Sequence, residues 1–349
     1  MSFLNPIAAK VQPYVPGEQP QNEGWVKLNT NENPYDPAPE VFEVLKNLQG
    51  ERLRKYPHPF GEPLRQTITN LYGRQPGEVL VVNGSDEALN LICRGTLTEK
   101  DSTVMHEVTY SLYKTLINMT GAAIEETPST NEAFGVNLAA LAASKAKVAF
   151  LPNPNAQTGE FIPPKEILKA VQSSDKLWVI DEAYNSFVEQ EDRSFASYVE
   201  QAPNAIVINT FSKTHGLAGA RIGYAISCNA DLMKGLYGIK DSYNEDAVAI
   251  AMGKAALEAT DYYKDIVHKV IAERHHLISE FNKRGFKVLP SEANFILVKG
   301  PMPSDKIYEK LKAQKILVRH FKNSLISDWL RISIGRPDEH EALLKAIDG

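Results

Sequence analysis

Thr210-Phe211-Ser212-Lys213-Thr214-His215-Gly216-Leu217-Ala218-Gly219-Ala220-Arg221-Ile222-Gly223 follows, after Asn209, the apolar run Ala205-Ile206-Val207-Ile208. That run predicts a buried strand. Lys213 then lies just beyond a strand's carboxyl end, where open α/β sheets place their sites. Hydroxyls, glycines and a second cation, Arg221, surround it. A lysine so placed suits a Schiff-base amine, with the hydroxyls and the arginine left to hold a phosphate. Taken alone, the same residues also describe a solvated lysine beside a strand.

Upstream of this segment, strands and helices alternate. Strands are predicted at Val79–Val82, Thr103–His106, Lys147–Leu151, Leu177–Ile180, Ala205–Ile208 and Ile222–Ser227. Helices are predicted over Pro39–Leu48, Pro63–Tyr72, Glu87–Leu97, Tyr110–Thr120, Lys165–Val171 and Ala230–Gly238. Near-continuous apolar strands separated by amphipathic helices imply a mostly parallel sheet covered on both faces. From Glu245 to Arg284 the pattern is helical, with a break near Thr260-Asp261. Strands at Lys287–Leu289, Phe295–Val298, Ile316–Val318 and Arg331–Ile334, a helix at Ser304–Gln314 and a last helix from Glu339 form a compact tail. The expected division is an arm over 1–39 rich in Pro, Asn and Gly, a large domain over 40–244 and a small α+β domain over 245–349.

The 349 residues carry 38 basic and 43 acidic side chains, a net charge of −5 without long runs of either sign. Binding to nucleic acid through a basic face is not expected. No stretch approaches the roughly 18 apolar residues of a membrane span, and the first residues lack the charged and apolar regions of a secretion signal. Cys93 and Cys228 have no metal-ligand spacing, so two reduced thiols, no metal site and a cytoplasmic location are expected.

Four further features belong at strand ends of the same sheet. Asn83-Gly84-Ser85-Asp86-Glu87 joins a strand to a helix, and the free N–H groups there make either an ordinary capped helix or an anion site. Tyr110 follows the strand ending at His106 and can stack on a ring or simply pack. Pro154-Asn155-Ala156-Gln157-Thr158-Gly159 reads as a turn, in which Asn155 has an amide for a ligand oxygen. Asp181, in Val179-Ile180-Asp181-Glu182-Ala183-Tyr184, ends a buried strand, an expensive place for an acid unless it meets a cation or a donor. Such an acid can keep a pyridine nitrogen protonated, with Tyr184 donating to a phenolic oxygen, or it can be a magnesium-binding or structural acid. Together with Lys213 these are the groups that a pyridoxal-phosphate (PLP) ring needs. In the tail, Arg331 suits bidentate carboxylate recognition and Arg319 adds a second cation on the neighbouring strand, though either residue also fits an ordinary surface ion pair.

With these residues in place, the chain resembles the fold-type I, class-II PLP-dependent aminotransferases over nearly its whole length. The resemblance is carried by Pro13-Tyr14-Val15-Pro16-Gly17, Asn31-Glu32-Asn33-Pro34, Arg54-Lys55-Tyr56-Pro57, Gly84–Glu87, Asp181–Tyr184, Ser212–Gly223, Ser242-Tyr243-Asn244 and Leu330–Gly335. It implies a large domain with a mostly parallel seven-stranded sheet between helices, plus a smaller α+β domain. It implies that Lys213 binds the cofactor and shuttles a proton, and that Asp181 pairs with the ring nitrogen. Tyr184 and Asn155 would contact the ring oxygen, and Tyr110 would stack on the ring. Ser85 and Asp86 (through their N–H groups), Thr210, Ser212 and Arg221 would hold the phosphate. Tyr56 would reach into the partner's site of a homodimer. Tyr14, Tyr56, Asn155, Arg319 and Arg331 would bind substrate. The substrates implied are glutamate/2-oxoglutarate and histidinol phosphate. An aminotransferase for aromatic or other amino acids, and a PLP lyase such as threonine-phosphate decarboxylase, remain alternatives on the same scaffold. One departure stands out. The family commonly reads Pro-Asn-Asn-Pro-Thr-Gly where this chain has Ala156 and Gln157.

Overall fold

A computed structural model describes residues 3–322 and 324–349. Its strands are β1 (Val26–Leu28), β2 (Val79–Val82), β3 (Ser102–His106), β4 (Ala123–Thr127), β5 (Val148–Pro152), β6 (Leu177–Asp181), β7 (Ala205–Thr210), β8 (Gly223–Ile226), β9 (Lys287–Val288), β10 (Phe295–Lys299), β11 (Ile316–His320) and β12 (Leu330–Ser333). Seven of them form one sheet in the order β2-β8-β7-β6-β5-β3-β4. All neighbours in it run parallel except those of β8, which is antiparallel to both β2 and β7. The expected mostly parallel seven-stranded sheet is therefore present.

Side chains alternate across it with period two, as strand geometry requires. Leu80, Val82, Phe150, Val179, Ile206 and Ile208 face one apolar layer. Val79, Val81, Leu151, Trp178, Ile180 and Val207 face the other. Because both faces are covered, these strands read as unbroken apolar runs. β4 is absent from the strands expected of the sequence, for a physical reason: as an edge strand it leaves Ala123, Glu125 and Glu126 exposed, so it has no apolar run to read.

The second sheet has the order β1-β11-β12-β10-β9. Its first strand comes from the arm, Val26–Leu28 lying parallel to Ile316–Val318. The arm is therefore not merely extended chain, since part of it completes this sheet. The helical stretch is two helices, Ala247–Glu258 and Thr260–Lys283, broken at Ala259 as the sequence predicts.

Register decides where the chemistry falls. Gly223 pairs with Val82 on one side and with Thr210 on the other. Asp181 pairs with Ile208 and with Pro152. The turn after β2, the end of β6, the end of β7 and the start of β8 therefore meet along one edge. Close approach there depends on glycine. A Cβ on Gly223 would lie 2.8 Å from backbone atoms of Gly84, Ser85 and Asn209. A side chain at Gly219, by contrast, would meet nothing within 4 Å. Overpacking costs about 1–3 kcal/mol, so Gly223→Ala is expected to lower unfolding stability by that amount and Gly219→Ala to leave it nearly unchanged. Urea unfolding of the two variants checks this.

Candidate active site

A cavity of about 210 Å³ opens along that edge. The large sheet gives it Ser85, Asp86, Tyr110, Asp181, Tyr184, Thr210, Ser212, Lys213 and Arg221. The arm adds Tyr14 and Thr30, and the second sheet adds Arg319 and Arg331. Of the site residues expected from the sequence, only Asn155 and Tyr56 lie elsewhere.

One end of the cavity is built for an anion. The helix Gly84–Thr96 begins without a side-chain cap on its first N–H groups. Such a start attracts negative charge. Gly84 adopts a left-handed φ of +74°, and a Cβ there would lie 2.6 Å from Arg221 Nη2. The missing side chain lets Arg221 lie against the helix start, where its Nη2 is 3.0 Å from Asp86 Oδ2. Thr210 Oγ1 and Ser212 Oγ, 2.9 Å apart, complete the cradle. N–H groups, two hydroxyls and a guanidinium converge as a phosphate ester requires.

Asp181 is buried, and its carboxylate accepts hydrogen bonds from Tyr113 Oη at 2.8 Å and from Ala183 N at 3.1 Å. Burial pushes its pKa up to about 6 despite those donors. No cation is paired with it among the described residues. The adjacent Glu182 points the other way and holds Ser194 Oγ and Phe195 N, a structural use. Tyr113, which holds Asp181, is a residue that the motifs do not single out. It sits in the first turn of the helix Leu112–Asn118, and its contact with Asp181 spans 68 residues of chain, so no local pattern marks it. The Tyr113 and Tyr110 rings stand edge to face with centroids 5.5 Å apart, and Tyr110 meets Tyr14 in the same manner at 5.9 Å.

Lys213 projects between these walls. Its Nζ donates to Thr30 O at 3.2 Å and lies 5.8 Å from the Tyr184 ring centre. Asn33 fixes the loop below it by donating to the carbonyls of Lys213 and Thr214. Lys213 makes no ion pair among the described residues.

The far wall carries the two arginines. Arg331 Nη1 donates to Ala156 O at 2.8 Å and to Gln157 Oε1 at 3.1 Å, both neutral acceptors. Its Nε is buried without a partner, and its guanidinium lies 5.2 Å from the ring centre of Phe295 and 5.3 Å from that of Phe321. Burial pulls the pKa of Arg331 down. Arg319 donates to Val15 O and Pro16 O, which ties the arm and Tyr14 over the cavity. Neither arginine meets a carboxylate among the described residues, which leaves their charge for a ligand.

Asn155 is fully buried behind the wall. Its Oδ1 accepts from Gln157 N and Thr158 N, and its Nδ2 donates to Val108 O. The amide expected at a ligand oxygen instead shapes its own turn, and Ala156 and Gln157 face the cavity. Tyr56 is 82% exposed and stacks on Tyr243 at 4.5 Å, beside a separate cavity of about 660 Å³. No cluster of potential metal ligands occurs among the described residues.

A fold with two sheets, a lysine beyond a sheet strand and an anion cradle opposite a buried acid defines a class of enzyme. Residues 23–347 match the family of class I and II aminotransferases, and the chain belongs to that family. Within it, the chain is 39% identical to histidinol-phosphate aminotransferase 1 of Nostoc sp. over 96% of this chain and 94% of that one. It is 37% identical to the histidinol-phosphate aminotransferase of Pseudomonas putida, with 99% of each chain covered. Among solved structures, the histidinol-phosphate aminotransferase of Sinorhizobium meliloti in complex with pyridoxal-5'-phosphate superposes with a TM-score of 0.90. That match covers 99% of this chain and 97% of the other at 25% identity.

The raised pKa of Asp181 has a consequence for stability. Its folded pKa of about 6 exceeds the ordinary 3.8, so the folded state binds more protons than the unfolded chain between those values. The resulting penalty is complete above pH 6 and vanishes as pH falls towards 4. A folded pKa one pH unit above the unfolded value costs about 1.4 kcal/mol. Asp181→Asn is therefore expected to stabilise the cofactor-free protein by about 1–3 kcal/mol at pH 8. The gain should fade towards pH 4. Denaturant titrations at the two pH values measure it.

Proposed function

We propose that this protein is a PLP-dependent aminotransferase that converts L-histidinol phosphate and 2-oxoglutarate to imidazole-acetol phosphate and L-glutamate. The observation that carries the reading is the pair Arg319 and Arg331, two guanidiniums without carboxylate partners among the described residues, across one cavity from Lys213. Each substrate ends in an anion, phosphate or carboxylate, so one arginine pair serves both halves of the exchange. The relatives named for this reaction support it.

The residues present fit the cofactor. The uncapped helix start at Ser85 and Asp86, with Thr210, Ser212 and Arg221, would hold its phosphate. The Gly84 and Gly223 positions, where a Cβ would intrude, fit a backbone that closes on such a group. Tyr110 would stack on the ring, and Asp181, oriented by Tyr113, would hold the ring nitrogen protonated. Tyr184, rather than the turn-bound Asn155, would donate to the ring oxygen. When bound, PLP supplies a carbon that captures amines and a conjugated ring that accepts the electron pair released at the substrate's Cα. The remaining work belongs to the chain. Lys213 Nζ would take the proton from the substrate's Cα and carry it as the ammonium for return in the second half of the transfer. Arg331, Arg319 and Tyr14 hold the substrate's anion so that the Cα–H bond faces Lys213.

We also assign a homodimer in the cytoplasm. Phe42, Leu45, Leu53 and Tyr56 expose apolar surface on one stretch of chain, a pattern suited to an interface. Tyr56 of the partner subunit would then complete the site. No helix among the described residues is long and apolar enough to cross a membrane.

PLP-loaded protein mixed with L-histidinol phosphate should lose its visible absorbance and form pyridoxamine phosphate, and 2-oxoglutarate should restore it. Release of carbon dioxide from L-threonine O-3-phosphate, without formation of pyridoxamine phosphate, would instead make the protein a lyase. Faster conversion of phenylalanine or tyrosine would make it an aromatic aminotransferase. Lys213→Ala should abolish turnover. Charged hydrogen bonds contribute about 1.5–3 kcal/mol, so Arg331→Ala should raise KM for both anionic substrates by about 10- to 100-fold. For the dimer, Lys213→Ala and Tyr56→Ala subunits, each impaired alone, should regain activity when mixed and allowed to exchange. No recovery would place both groups in one subunit's site.

A further inference from the structure

Asn31 occupies a conformation that its surroundings must maintain. It is 1% exposed and has a left-handed φ of +54°, uncommon for any residue but glycine. It belongs to the arm, yet its hydrogen bonds reach three other segments. Its N–H donates to Ser333 Oγ at 2.8 Å on β12. Its carbonyl accepts from Asn294 Nδ2 at 3.0 Å, just before β10. Its side-chain amide lies between Ser333 and Tyr184.

Ser333 sets which end of the amide faces Tyr184. Its Oγ accepts the Asn31 N–H and donates its own proton to Asn31 Oδ1, 3.1 Å away. The other end of the amide, Nδ2, must then face Tyr184, and it donates to the phenol oxygen at 3.1 Å. Asn31 therefore offers Tyr184 no acceptor. The phenol's own proton has none among the described residues, and the ring lines the cavity. The edge of Phe295 against the Tyr184 ring, with centroids 5.1 Å apart, blocks one alternative swing of the ring.

We propose that Asn31 is a positioning residue that holds the Tyr184 hydroxyl with its proton directed into the cavity. The inference rests on the reading of Tyr184 as the donor to the cofactor's ring oxygen. It gives the arm a defined role in the chemistry: the chain ahead of the large sheet sets the donor direction of a residue at the end of β6. Donation from Asn31 also polarises the phenol, since chained hydrogen bonds strengthen one another.

The test reads the pH midpoint of the visible absorbance of the PLP-loaded protein, which a purely structural role would not move. A donor on the ring oxygen disperses the negative charge that retains the neighbouring proton. Losing that donor therefore raises the midpoint. A hydrogen bond of about 1 kcal/mol corresponds to somewhat less than one pH unit, so Tyr184→Phe should raise the midpoint by about that much. Asn31→Gly tolerates the positive φ without strain and should raise the midpoint by part of that change. Asn31→Asp keeps the shape but offers an acceptor to the phenol, and should raise it at least as far. In a Tyr184→Phe background, Asn31→Gly should move the midpoint no further. Asn31→Asp should there raise it by less than it does in the wild-type protein, since only the effect of the added charge remains. If Tyr184→Phe moves the midpoint and the Asn31 variants do not, the positioning role is wrong while the tyrosine reading stands. A full additional rise in the Tyr184→Phe background would likewise overturn it, since Asn31 would then act by another route. If Tyr184→Phe itself leaves the midpoint in place, both readings fall. Should Asn31→Gly not fold, Asn31→Asp decides the matter by the difference between the two backgrounds: a rise as large with Tyr184→Phe as without it overturns the positioning role.

Discussion

Charge buried without its partner is the constraint on which the site depends. Asp181 ends a strand whose other residues are apolar, and burial raises its pKa to about 6 with no cation paired to it among the described residues. Across the cavity, Arg331 directs its Nη1 to two neutral oxygens and leaves Nε without a bond. A protein selected for stability alone would bring such groups together or replace them. Here the fold holds them apart. The parallel sheet fixes Asp181 in register between Pro152 and Ile208, while β12 carries Arg331 on a different sheet. The space between is the site.

Neutral hydrogen bonds keep these charges in place without cancelling them. Tyr113 and the Ala183 N–H hold Asp181, and Ala156 O and Gln157 hold Arg331. Lys213 leans on a backbone carbonyl from the arm. Each support is a dipole, so the site stays ready for a ligand of opposite charge. Gln157 belongs to the turn where this chain departs from the common family pattern, and its side chain contributes one of these supports.

The central parts are legible in the sequence because they obey strong local rules. Strands covered on both faces announce themselves as apolar runs, and polar residues at their ends then stand out, as Asp181, Lys213 and Ser85 do. What escapes is set by tertiary contact. β4 is exposed and carries Glu125 and Glu126, so its pattern is not that of a buried strand. Asn155 reads as a ligand-facing amide, but the turn it sits in consumes its side chain. Tyr113 and Asn31 act on Asp181 and Tyr184 through contacts 68 and 153 residues distant in the chain, which no local pattern encodes. Tyr56 looks outward from the chain that carries it and stacks only on its exposed neighbour Tyr243 among the described residues.

Asp181 is thus destabilising when charged, and the pairing proposed for it with a cationic ring would relieve that cost. The most direct measurement compares unfolding midpoints of the wild-type protein and Asp181→Asn at pH 8, each with and without saturating PLP. A ligand that binds only the folded state stabilises it according to its affinity. PLP should therefore stabilise the wild-type protein more than the variant. Equal stabilisation of the two proteins by PLP would contradict the pairing, since the carboxylate would then have no part in holding the ring.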